Sequence, residues 1–599
     1  MAKILKEYLV TNRFLRHLII TLVFGLTVSP ARADYHYASH QGSDEYPYTT
    51  WETAAALIQD AVDAASPHDT VYIGAGEYYE LIRVPQTTTH LGFIGMGIDS
   101  TYIWTDAPAG NSLMWPAAYN IIDGIHFEHR GVNSCIHATW QVHISVKNCL
   151  FNRPGYAGGG IVSLDGDMVV ENCVFYSDDG SIDNLPFGTQ NVRISNCFFE
   201  DRGECMLVCG AKVIIENNIG TSDLSAFFWQ AGPVDTLIVG NNISFNCWVA
   251  YGLSLPSDSS ILNNNTSVND SRPNVVTDPA FYIFNAYSGK IYNNTITNPG
   301  RGFWIRDGQP DSWYDLRYNN IKTAQENIIV DDGEVDTSVI YHEFPMFGGG
   351  GDYRLQAYSP LIDAGNSEIL DVDGTVSDIG AYGGPGGESY EYQDLAPLVP
   401  DSITYYVSGD SVVFTWRMNE EADFSRYLIH RDTLSGFEPS MFNLMAEPES
   451  SFYADTAFAE GQDNYYRFAS VDNQDNQSDY SDEILVSATG VSDSLEHKMP
   501  WEMGILSCYP NPFNSSITIE YRVANLGPLP AQMKLEVFDV LGRKIRTLIN
   551  GKEDIGIHSI RWDGFGDGGA ELPSGVYFVR LSQWGTSILS DPVKVMLIR

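Results

Sequence analysis

One phrase recurs through the first two-thirds of the chain and limits its fold more than any other feature. A short β-rich strand ends in Asn-Cys or Asn-Asn, followed by an apolar or small residue or two and then a polar loop. The copies carry Asn148-Cys149, Asn172-Cys173, Asn196-Cys197, Asn217-Asn218, Asn241-Asn242, Asn264-Asn265, Asn293-Asn294 and Asn319-Asn320, with Asp123-Gly124 as a degenerate first copy. The first Asn recurs at intervals of 24, 24, 21, 24, 23, 29 and 26 residues. Such a period, with two or three short strands in each copy, fits one turn of a parallel β-helix. No copy can bury its own apolar face, so stacking is what makes a core. The first Asn of each pair suits a tight left-handed bend, and stacked amides can hydrogen-bond along the repeat. Cys149, Cys173 and Cys197 share one slot in three successive copies. A free Cys packs as a small hydrophobe, so stacked buried thiols are expected, with disulfides or a metal site as the alternatives.

On these residues the chain resembles the right-handed β-helix family that includes pectate lyases and many secreted proteins. The resemblance covers residues 34–385. Tyr37-Ala38-Ser39 opens a strand, and Trp51 to Ala65 reads as an amphipathic helix with Ala55, Leu57, Ile58, Ala61 and Val62 on its apolar side. A helix there would cap the open core and block edge-to-edge pairing. Asp69 to Ile73 and Gly76 to Tyr78 read as the first turn. The far end, Tyr358 to Gly365 and Asp371 to Gly383, looks like the closing segment of bacterial β-helix proteins. There Asp371, Asp373 and Asp378 are candidate calcium ligands through hard oxygens. Asp-Gly turn chemistry is the alternative.

Gly383-Gly384-Pro385-Gly386-Gly387 signals a linker, drawn at 386–395. Residues 396–489 alternate as strands around Trp416, which suits a seven-stranded sandwich and resembles a fibronectin type III module. After a second linker at 490–505, the stretch 506–599 carries Tyr509-Pro510-Asn511-Pro512-Phe513-Asn514, Val540-Leu541-Gly542-Arg543, Trp562-Asp563-Gly564 and Ser574-Gly575-Val576-Tyr577. It resembles the type IX secretion sorting domain, whose pattern overlaps the Ig-like module of flagellar hook-capping proteins. The fold expected is therefore all-β: a right-handed parallel β-helix followed by two β-sandwich modules.

The first 33 residues read as a secretory signal peptide. Lys3, Lys6, Arg13 and Arg16 precede an apolar run from Leu18 to Val28, and Ala31-Arg32-Ala33 offers a cleavage site. The run is short for a membrane span, and no second apolar stretch of spanning length follows. Together with the sorting resemblance, this implies a protein secreted by, or held on the outer surface of, a Gram-negative bacterium, with the type IX machinery as a partner. Asp and Glu number 76 against 34 Lys and Arg, a net charge of −42, which argues against nucleic acid as a partner.

Function is expected on one outer face, where stacked strands make a long groove. The strand preceding each Asn strand is the candidate face. With alternate residues inward, Trp304 and Arg306 point outward together, beside Asp307, and Trp140 and Trp229 join them. Aromatic faces beside charged forks suit an extracellular polysaccharide. Asp165, Asp167, Asp183 and Glu204 are candidate acid–base groups on neighbouring turns. The polygalacturonase signatures of this fold are missing, and Arg153, Arg193 and Arg202 sit in no recognisable lyase motif. Three readings follow: a non-catalytic glycan-binding protein, a polysaccharide lyase or hydrolase, and a surface spacer. Calcium is the one cofactor in view.

Overall fold

The computed structural model describes residues 33–599 except 109, 140–141, 154–158, 164–165, 178–179, 185–190, 223–224, 231–233, 256–259, 270–278, 285–287, 299, 307–311, 324–326, 332, 409–410, 458–461, 488–503, 515, 524–530, 540–542, 554–555, 568–571 and 584–592. The signal peptide, Trp140, Asp165 and Asp307 lie outside the described residues.

The repeat folds as a parallel β-helix of three sheets with 13, 12 and 11 strands. Sheet 1 takes the strand of each turn that runs into the Asn pair, such as Ile144–Lys147 and Met168–Glu171. Sheet 2 follows the bend, as in Leu150–Arg153 and Val174–Ser177. Sheet 3 closes the turn, as in Ile161–Ser163, Ala226–Gln230, Pro279–Phe284 and Arg301–Arg306.

The bend explains the Asn. Asn148, Asn172, Asn196, Asn217, Asn241, Asn264 and Asn293 all sit at φ between 50° and 56°, where Asn is tolerated and most residues are not. Gly124 does the same work in the degenerate copy, at φ 71°. In the last copy the left-handed residue is Tyr318, at φ 61°, so Asn319 aligns with Asn294 rather than with Asn293.

At the first position of the pair Asn148 donates to Asp123 at 2.7 Å and Asn172 to Asn148 at 3.4 Å, as the sequence reading expected, but the continuous buried ladder belongs to the second residue of each pair. Asn218, Asn242, Asn265, Asn294 and Asn319 are fully buried, and each amide of the first four donates to the next Oδ1 at 2.9–3.0 Å. The same oxygens accept the backbone N–H of the preceding turn, at 3.0–3.2 Å. Cys149, Cys173 and Cys197 continue this column as buried free thiols, and Cys197 N–H hands over to Asn218 Oδ1 at 3.0 Å. Burial pushes the Cys149 and Cys173 thiols well up, so they stay protonated and unreactive.

Among the aliphatic side chains of the core runs a stack of rings. Phe127, Phe151, Phe175 and Phe199 follow one another at 5.4, 4.8 and 4.9 Å on sheet 2. At Gly220 the stack crosses to sheet 3, because a Cβ there would lie 2.6 Å from the Phe227 ring. It continues through Tyr251, Phe281 and Phe303.

At the N-terminal end the helix is shorter than expected, Ile58–Ala64. Residues before it are held by backbone bonds between Tyr37 and Ala55. The helix begins at Ile58 because the Glu80 carboxylate accepts the N–H groups of Ile58 and Gln59, at 2.9 and 3.0 Å. Ile58, Ala61 and Val62 seal the core, whereas Leu57 is exposed. At the far end, residues 363–387 run along the bends as a strap. Asn241 and Asn264 donate to the carbonyls of Ala381, Gly383, Asp378 and Gly380, and Asn293 Oδ1 accepts from Asn366 N–H. Tyr390 and Tyr392, drawn in the linker, also pack on this strap, bonding Leu355 N and Asp378.

The residues after 392 form a separate unit containing two antiparallel sandwiches. The first has sheets of three and four strands around Val412, Phe414, Trp416, Tyr427, Ile429, Tyr466, Phe468 and Val486. The second, also of three and four strands, closes on Phe513, Trp562, Tyr577 and the alternating apolar residues of Ile517–Val523 and Ala531–Asp539. Among the described residues no helix is long and apolar enough to cross a membrane.

Candidate functional site

Strand alternation on sheet 3 decides which side chains face outward. In Arg301–Arg306, Phe303 and Ile305 are buried, Trp304 is half-buried and Arg306 is exposed. In-phase stacking then sets a column: His137, Val162, Asp183, Leu207, Trp229, Gly252, Tyr282, Trp304 and Ile329 pair in succession. Trp229 and Trp304, expected on this face, are therefore in one line.

Gly252 is what lets them form one surface. A Cβ on it would lie 2.1 Å from Trp229 Cε3, so the indole lies across the glycine and reaches the next turn. There it stacks on Tyr282 at 6.0 Å and 21°, and on Phe284 at 5.6 Å and 23°. Tyr282 meets Trp304 edge-on at 5.6 Å. Two guanidinium groups flank Trp304, with Arg301 and Arg306 Cζ 5.4 and 5.8 Å from its ring centre. The indole N–H donates to Asp331 at 3.3 Å, and Arg306 donates to the Tyr282 hydroxyl at 3.4 Å. The result is a half-buried aromatic platform four strands long, edged by cationic forks. Both guanidinium groups lie within cation–π range of the indole, and the Arg301 Nε is buried.

Tyr282, Phe284 and Arg301 were missed from sequence. The signal was present, because Phe281-Tyr282-Ile283-Phe284 and Phe303-Trp304-Ile305-Arg306 repeat one alternation and pair residue for residue. A second, smaller aromatic station lies toward the N-terminal end of the same sheet. Trp115 stacks on His137 at 5.0 Å with Arg83 5.0 Å from the indole centre. Burial, then the Arg83 charge, lowers the His137 pKa, which favours the neutral ring.

The candidate acids fall in different places. Asp183 shares the column, one strand from Leu207. Asp167 lies in the turn entering sheet 1, 3.1 Å from His143 Nδ1, and accepts Asn191 N–H at 2.7 Å. Glu204 precedes the strand Met206–Val208 and accepts from Ser225 at 3.4 Å. Of the basic groups, Arg153 is buried inside the helix and donates to the carbonyls of Asn133, Gly159 and Gly131. Arg193 lies on sheet 1, paired with Glu216 at 3.1 Å. The geometry brings the aromatic candidates together and sets Asp167 and Arg193 at sheet 1 and Arg153 inside the helix, whereas Asp183 and Glu204 lie on neighbouring turns of sheet 3, where a Cβ on Gly180 would come within 3.6 Å of both Asp183 Oδ1 and Glu204 O.

Asp371, Asp373 and Asp378 share one recess with Glu388 and Tyr392. Each carboxylate accepts a backbone N–H: Asp371 from Asp378 and Gly384, Asp373 from Thr375, and Asp378 from Asp363. Their oxygens do not draw together as a ligand set among the described residues, and the arrangement favours turn chemistry.

Comparison with known families and structures gives two matches. Residues 123–321 match a family described as the right handed beta helix region, and residues 524–587 match the FlgD Ig-like domain. No curated protein matches the chain. Among solved structures, latent PorU from Porphyromonas gingivalis is 15% identical over 35% of this chain, with a TM-score of 0.18. That alignment spans 21% of PorU. A central fibronectin-III array of RIM-binding protein is 14% identical over 34% of this chain and 69% of its own, with a TM-score of 0.15. Chitinase ChiA74 from Bacillus thuringiensis is 16% identical over 35% of this chain and 30% of its own, with a TM-score of 0.14.

Proposed function

We propose that the chain is a secreted or surface-held protein that binds an extended extracellular polysaccharide along sheet 3, without acting on it. The observation that carries this reading is the platform of Trp229, Tyr282, Phe284 and Trp304 edged by Arg301 and Arg306. Sugar rings offer apolar C–H faces to aromatic rings and hydroxyl or carboxylate groups to guanidinium forks. A parallel sheet repeats its outer contacts every ~4.8 Å, so a linear polymer can meet similar groups strand after strand. The test is a glycan panel probed with wild type and Trp304→Ala. The variant is expected to keep its melting temperature and to bind about 5- to 150-fold more weakly, the ~1–3 kcal/mol of an aromatic anchor. A stable variant with unchanged binding sinks the site, and an unfolded one places Trp304 in the core.

The two sandwiches fit a spacer and an export module. The first reads as a fibronectin type III-like spacer. The second reads as a sorting domain engaged by the type IX machinery after the signal peptide is removed. Deleting residues 506–599 should leave the protein in the periplasm of a type IX-competent host. Normal surface levels of the truncated chain would refute this role.

A further inference from the structure

In the first sandwich, three carboxylates come together from distant parts of the sequence. Asp394 lies in the segment entering the module, Asp423 precedes the strand Phe424–Asp432, and Asp472 ends the strand Asn464–Asp472. Those two strands pair antiparallel with Phe424 opposite Asp472, which sets the two acids side by side at one end of the sheet. One oxygen from each of the three residues lies within 4.8 Å of the others.

The cluster is not explained by hydrogen bonding. Asp472 is fully buried and accepts the N–H groups of Gln474 and Asn476, both at 2.8 Å, and the Asn476 amide at 2.9 Å. Asp423 is only 5% exposed, yet its Oδ2 is buried and makes no hydrogen bond. A buried carboxylate with one oxygen unbonded and two further acids within 4.8 Å is costly on its own. Burial, then the charges of Asp472, Asp394 and Glu421, raises the Asp423 pKa. Glu421 is turned away onto Leu398 N–H, at 2.6 Å.

We propose that Asp394, Asp423 and Asp472 form a divalent-cation site, suited to calcium, that fastens the entry segment of the module. Hard carboxylate oxygens are calcium's preferred ligands, and the ion supplies the charge that the orphaned Asp423 oxygen lacks. The entry segment is already bound at one point, since Leu398 O accepts from Asn419 at 2.8 Å and from Ser470 at 2.5 Å. Asp394 adds a second, ion-dependent point four residues earlier. Extracellular modules bind calcium with dissociation constants of roughly 0.1–1 mM, so the site would fill outside a cell and empty inside it.

The test titrates the full chain with calcium chloride, alongside Asp423→Asn, Asp394→Asn and, as a control at the other acidic recess, Asp371→Asn. Calorimetry should show Asp423→Asn and Asp394→Asn each losing one bound calcium relative to wild type, while Asp371→Asn does not lose this one. The melting transition of the sandwich should rise by several degrees with calcium in wild type and not in those two variants. In chelator, Asp423→Asn should melt above wild type, because the repulsion is gone. Equal calcium stoichiometry in wild type and both variants overturns the proposal. So does a gain in stability for Asp423→Asn in chelator with no response of wild type to calcium, the outcome expected if Asp423 is simply protonated. Asp394 is exposed, so its variant keeps the test valid should Asp423→Asn fold poorly.

Discussion

Replacing Asn265 tests the ladder that makes the repeat a helix. Its side chain is fully buried and makes bonds in both directions along the axis. Nδ2 donates to Asn294 Oδ1 and Val239 O, both at 2.9 Å, and to Asn263 O at 3.2 Å. Oδ1 accepts the Asn242 amide at 3.0 Å and the Asn242 backbone N–H at 3.2 Å. In Asn265→Ala the Asn242 amide keeps Ile215 O and Gly240 O, whereas the Asn242 N–H loses this acceptor. One orphaned buried donor costs about 1–3 kcal/mol, and the remaining lost bonds add about 1 kcal/mol each before relaxation. With four such bonds lost, the sum is roughly 5–7 kcal/mol. Asn265→Asp should cost at least as much, because a carboxyl cannot donate to three oxygens. Asn265→Cys should cost about 1–2 kcal/mol less than Ala, on the scale of one hydrogen bond. A thiol fills this slot natively at Cys173, where its sulfur receives Cys149 N–H and donates toward Glu171 O. Stability in a repeat is summed turn by turn, so hydrogen exchange of the turns flanking residue 265 is a sharper assay than one global midpoint. If Ala and Asp exchange like wild type at Val239, Asn242 and Asn294, the ladder is decoration and the reasoning fails.

Two further outcomes follow from buried groups. Cys173→Asp places an unpaired charge among stacked thiols and should destabilise its turns by several kcal/mol; rapid thiol labelling of native Cys149, Cys173 and Cys197 would contradict their burial. Burial, with the Asp371 and Asp363 charges, pushes the Asp378 pKa up to about 6. Its unfolded value is about 3.9, so the folded chain holds this proton more tightly. That contribution is complete below about pH 4 and is lost as pH rises through about 6. Asp378→Asn should therefore gain on wild type by up to ~3 kcal/mol between those pH values, measured by urea unfolding. A difference that stays constant with pH would remove Asp378 as the cause.

The repeat was legible because one backbone requirement, a left-handed bend, selects one residue type at one spacing. The alternation in Phe303-Trp304-Ile305-Arg306 was legible for the same reason, since a strand has period two. Which Asn makes the ladder was not, because that depends on which side of the bend faces inward. Tyr318 in the left-handed position hid the register of the last copy. The reach of Trp229 over Gly252 depends on a neighbour 23 residues away in the next turn, which only the pairing supplies. The acids at 394, 423 and 472 were lost among 76 acidic residues, since antiparallel pairing rather than sequence proximity brings them together.

The central claim is that the platform on sheet 3 is a polysaccharide site. Three strand steps separate Trp229 from Trp304, about 14 Å at strand spacing. The direct measurement is calorimetric affinity for an oligosaccharide length series, taken from whichever polymer the panel selects. Affinity should climb until the ligand spans Trp229 to Trp304 and then level off, and Trp229→Ala with Trp304→Ala should abolish the climb while the fold is kept. Binding that ignores ligand length, or that survives in the folded double variant, would contradict the account.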